Sequence, residues 1–156
     1  MNLTEKLIIE EKKFSDILKQ ANDPISALLK THLFIEQLLE VMIRIKLPNP
    51  DILLNGRGLG FSKKVHLVQA FNILDQKTYE AILRINKIRN DCAHIIDTKL
   101  DIERVEELGN ILRPWFSEMK DKYPDDQEFW LEYILANLVG RVAAYTHTLN
   151  EVNVQK

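Results

Sequence analysis

Apolar residues recur along this chain at spacings of three and four, not two. That is the period of a helix with one face on a core, and no segment holds the sustained alternation of a half-buried strand. Leu3, Leu7, Ile8, Phe14, Ile17 and Leu18, set among charges, predict an amphipathic helix over 3–20. Residues 24–46 are more densely apolar, with Leu28, Phe34, Ile35, Leu38, Leu39 and Met42 spread over more than one side. That pattern predicts a central helix buried on several faces.

Punctuation supplies the boundaries. Asp23 is placed to cap a helix, and Pro24 fits the first helical position, where its missing N–H would have no partner. The stretch "LPNPDILLNGRGLG", 47–60, has two prolines and three glycines and predicts one long loop. A helix follows from "FSKKVHLVQAFNIL", with Ser62 as its expected cap and Phe61 as a staple. Asp75 is the expected cap of a helix over 76–94, and another helix begins near 101 and is interrupted or restarted at Pro114. Asp125 with Glu128 predicts a capping box for a last helix over 126–150. The expected fold is an all-α bundle of five to seven helices in a single domain, 1–156.

Composition narrows the class. At 46% hydrophobic and 28% charged, the chain has the makeup of an ordinary globular domain. One cysteine excludes an internal disulfide and a multi-cysteine zinc site, and suits a reducing, cytoplasmic setting. The apolar patch at the N-terminus is too short for a signal peptide, and no stretch reaches the roughly 20 apolar residues of a membrane span. The net charge of −2 conceals an asymmetry: residues 44–89 hold nine Lys/Arg against three acidic residues, a local +6, while the remainder is −8. A basic middle in an acidic whole can bind a polyanion, although such charges also arise on solvated helix faces.

The basic middle ends in "KIRNDCAH", 87–94. Arg89 offers a planar fork for phosphate, His94 titrates near neutrality, and Asn90 can orient the histidine or donate to phosphate. These types suit RNA cleavage without metal, in which the 2′-hydroxyl is the nucleophile. Asn90 and His94 share a helix face, but Arg89 and His94 lie roughly 140° apart on a continuous helix. Two copies of the helix meeting at a dimer axis would bring such residues into one cleft. Lys63, Lys64, Arg84 and Lys87 are candidate RNA contacts in the same basic region. The same residues could also be a surface ion pair and a helix end.

Other groups add little chemistry. His32, His66 and His147 are scattered, without HExxH spacing, so no metal or other cofactor is expected. Cys92 reads as a small, half-buried residue, and "GRGLG" as a turn lacking the Gly-Lys-Ser/Thr ending of a phosphate loop. Trp115, Phe116, Phe129, Trp130 and Tyr133 are expected to fill core or interface.

"RNDCAH" at the end of a helix resembles the RNxxxH signature of the HEPN superfamily, and Arg89, Asn90 and His94 match it one for one. The stretch 59–94 is also similar to mannitol-operon-repressor-type (MltR-like) proteins, with a Gly/Phe/Ser turn, a lysine, an apolar helix and a final "RN…AH". The first resemblance implies a helical, usually dimeric domain and in many members a metal-independent endoribonuclease. A toxin or phage-defence role, with an antitoxin or other protein partner, would fit it. The second resemblance implies a non-catalytic regulator working through protein contacts. No helix-turn-helix with a basic recognition helix stands out, so sequence-specific reading of DNA is not expected. A third possibility is an interaction module in which the motif only stabilises a homodimer.

Overall fold

The computed structural model describes residues 2–21, 23–56, 58–94 and 100–154, with residues 93 and 94 described by backbone alone. Among the described residues it is all helical, with eight helices and no strand. They are α1 (Leu3–Lys19), α2 (Pro24–Lys46), α3 (Asp51–Leu54), α4 (Phe61–Ala70), α5 (Gln76–His94), α6 (Ile102–Ile111), α7 (Trp115–Lys122) and α8 (Gln127–Val154).

Helix α2 is the axis of the bundle and packs against α1, α4, α5 and α8. It buries Leu28, Ile35, Leu38, Leu39, Met42 and Ile43, as its dense apolar pattern requires. Ile134, Leu135, Leu138 and Val142 of α8 meet the same core. Helix α1 closes the bundle through the stacked Phe14–Phe34 pair, 4.4 Å between ring centroids. His147–Glu11 and Asn150–Thr4 hydrogen bonds tie α1 to α8. Phe116 and Trp130 lie in the core edge-to-face, whereas Trp115, Phe129 and Tyr133 stack on one another nearer the surface. Gly109 of α6 is buried against Phe116, where a Cβ would stand 2.6 Å from the ring.

Several caps form as expected. Asp23 accepts from the Ser26 N–H with Pro24 opening α2, and Asp75 accepts from the Thr78 N–H at the start of α5. Others differ. Residues 47–60 are not loop throughout: Pro50 starts α3, its carbonyl accepting from Leu53 and Leu54 at 3.0 Å, because proline suits a helix start as well as a stop. Helix α4 begins at Phe61 with Gly60 as an N-cap that has no side-chain bond, so Ser62 is not the cap. It ends at Ala70, where Asn72 turns the backbone to a φ of 56°. Asp126, not Asp125, caps α8 by accepting from the Phe129 N–H at 3.0 Å.

Candidate functional site

Three elements meet to form the site. On α5, Ile82, Ile85 and Ile88 face the core. Asn86, Arg89 and Asn90, spaced by three and four, occupy the adjacent face. His32 and Glu36, four apart on α2, lie alongside. The N-terminal turn of α4 and the segment before it contribute Gly58, Gly60, Phe61, Ser62 and Lys63. These residues line an open cleft of about 580 Å³.

His32 is the most enclosed of them, 5% exposed. One ring face stacks on Phe61, with centroids 3.9 Å apart and planes 22° from parallel. Its Nε2 stands 3.0 Å from Asn86 Oδ1, while Asn86 Nδ2 donates to Ser62 Oγ at 2.9 Å. With the Asn86 amide so oriented, Nε2 carries the proton and Nδ1 holds the lone pair. Burial lowers the imidazole pKa from its ordinary value of 6.5, the Arg89 charge adds to that, and Asn86 and Glu36 oppose it. The neutral ring is therefore the resting form at neutral pH.

That shift has a stability consequence. The unfolded chain takes up the His32 proton at a higher pH than the folded chain, so stability should fall as pH drops below about 6.5 and level off below the folded value. Urea denaturation between about pH 7.5 and pH 5 should show this component in the wild type and lose it in His32→Gln.

The other sequence candidates divide. Arg89 and Asn90 line the cleft together, Arg89 Nη1 donating to Asn90 Oδ1 at 3.0 Å. Lys63 is exposed and also lines it. Lys64 does not present its charge there: it is buried, with Nζ 2.6 Å from Glu36 and 2.5 Å from Glu40. Burial alone would favour the neutral amine, but the bonds to Glu36 and Glu40 outweigh it and hold the pKa above its ordinary value. Arg84 pairs with Glu107 of α6 at 2.9 Å, and neither it nor the exposed Lys87 lines the cleft. Helix α5 runs unbroken through His94, so the backbone places positions 89 and 94 roughly 140° apart around the axis. The His94 side chain lies outside the described residues.

Sequence reasoning missed His32, Glu36, Ser62 and Asn86 as members of one site. The available signal was polar residues at four-residue spacing within densely apolar α2, and the pair Asn86 and Asn90 on the face of Arg89. Cys92 is half-buried, and burial raises its thiol pKa, with the Arg104 charge opposing, as suits a packing residue. Among the described residues no three His, Cys, Asp or Glu side chains gather to hold a metal, and no helix is long and apolar enough to cross a membrane. No family model, curated protein or solved structure matches the chain.

Proposed function

We propose that this chain is a HEPN-like RNA-binding domain that cleaves RNA without a metal ion, and that it works as a homodimer. The observation that carries the reading is the cleft between α2, α4 and α5. It joins Arg89, Asn90 and Lys63 to a buried neutral imidazole. Arg89 and Lys63 supply positive charge for a phosphodiester, and the Arg89 fork suits two phosphate oxygens at once. In the reaction a base removes the 2′-hydroxyl proton and O2′ attacks phosphorus. Arg89 stabilises the charge on the phosphorane, and an acid protonates the departing O5′. His94 enters as one proton carrier through the motif it completes.

The experiment is RNA cleavage by the purified chain in EDTA, with end-group analysis of the fragments. Activity should persist and leave 2′,3′-cyclic phosphate and 5′-hydroxyl ends. Abolition of cleavage by EDTA, or 3′-hydroxyl ends, would remove this mechanism. Light scattering at micromolar concentration should give the mass of a dimer.

A further inference from the structure

Cleavage through the 2′-hydroxyl needs two proton transfers at different oxygens, and the cleft beside Arg89 holds an imidazole of its own, that of His32. Resting on the ribonuclease reading above, we propose that His32 is the catalytic residue that takes the 2′-hydroxyl proton, leaving His94 to protonate the 5′-oxygen.

The geometry of the cleft supports a base at this position. His32 lines it although only 5% of the residue is exposed, so bulk water has little access to the ring. Phe61 stacks on the ring and Asn86, itself bonded to Ser62, holds Nε2, which with the amide so oriented leaves the lone pair on Nδ1. A structural histidine tying α2 to α5 would need only the Asn86 bond. This one also shares its cleft with a guanidinium and an exposed lysine, Arg89 and Lys63. The groups around it act in complementary ways. Burial, with the charge of Arg89 on α5 adding to it, keeps the resting ring neutral, and Asn86 of α5 and Glu36 of α2 favour the imidazolium once a proton arrives. A dianionic phosphorane bound at Arg89 and Lys63 would favour that imidazolium further.

The step balances in bonds and protons. The O2′–H bond breaks, its proton goes to His32 Nδ1, and the O2′–P bond forms. The P–O5′ bond then breaks, and His94 gives its proton to O5′. His32 returns its proton to water and His94 takes one up, which restores the starting state.

The test compares His32→Gln, whose amide can keep a bond to Asn86, with His94→Ala. On ordinary RNA, His32→Gln should lower kcat by about 10²–10⁴-fold and leave KM near the wild-type value. It should also abolish the acidic limb of the pH–rate profile. On RNA carrying sulfur in place of the bridging 5′-oxygen, the leaving group needs no proton. There His94→Ala should recover most of its rate and His32→Gln should not. If His32→Gln does not fold, the ring of wild-type His32 is titrated by NMR, and its pKa should coincide with the acidic kinetic limb. Wild-type kcat in His32→Gln, a loss through KM alone, rescue of His32→Gln by the sulfur substrate, or a ring pKa away from the kinetic limb would overturn the assignment while leaving the ribonuclease reading intact. Failure of the wild type to cleave any RNA would remove that reading and the assignment together.

Discussion

His94→Ala is expected to slow RNA cleavage by about 10²–10⁴-fold, the usual worth of a positioned proton donor or acceptor. Arg89→Lys should fail in a different way. The ammonium keeps the charge but loses the planar fork, and it cannot reproduce both the Asn90 bond, 3.0 Å in the wild type, and a two-point grip on phosphate. Removing one such donor from a transition-state site typically costs about 10²–10³-fold in kcat. RNA binding, measured with a substrate whose reactive hydroxyl is methylated, should persist in Arg89→Lys. Arg89 is not among the buried polar residues, so its substitution should leave the melting temperature close to that of the wild type. If both variants melt much lower or dissociate into monomers, the motif is structural, and the interaction-module reading takes the place of the enzyme.

The fold was largely legible because its signals are local. Asp23 with Pro24, and Asp75 before α5, mark helix starts through bonds made within three residues. Helix α3 was hidden because Pro50 can end a helix or begin one, and the chain pattern does not choose. The site was legible only in part. Arg89 and Asn90 announce themselves as neighbours, but His32 reaches Asn86 across 54 positions, and Asn86 reaches Ser62 across 24. Those meetings depend on the axial register of α2 against α5 and α4, which no local period encodes. Ser62 illustrates the cost: its hydroxyl suits a cap, yet the packed helices direct it to Asn86. Lys64 was more accessible to reasoning. It follows Phe61 by three and precedes Val68 by four, so it sits on the buried stripe of α4 while Lys63 stands off it.

Replacing that lysine should expose what it does. In Lys64→Met the apolar stem is kept, but Glu36 and Glu40 lose their shared cation and are left as two carboxylates one helical turn apart. Removing one partner of a buried ion pair commonly costs about 3–5 kcal/mol. The side chains of Glu36 and Glu40 are 27% and 37% exposed, so water offsets part of that, and a loss of about 2 kcal/mol is expected in urea denaturation. RNA affinity should fall as well, because Glu36 lines the cleft and its uncompensated charge would oppose Arg89. Neutralising the acids in Lys64→Met/Glu36→Gln/Glu40→Gln separates the two roles open to Lys64. If the lysine is a strut between α4 and α2, the triple variant should recover most of the lost stability and the RNA affinity with it. If Lys64 instead grips phosphate, stability should return while RNA affinity remains low.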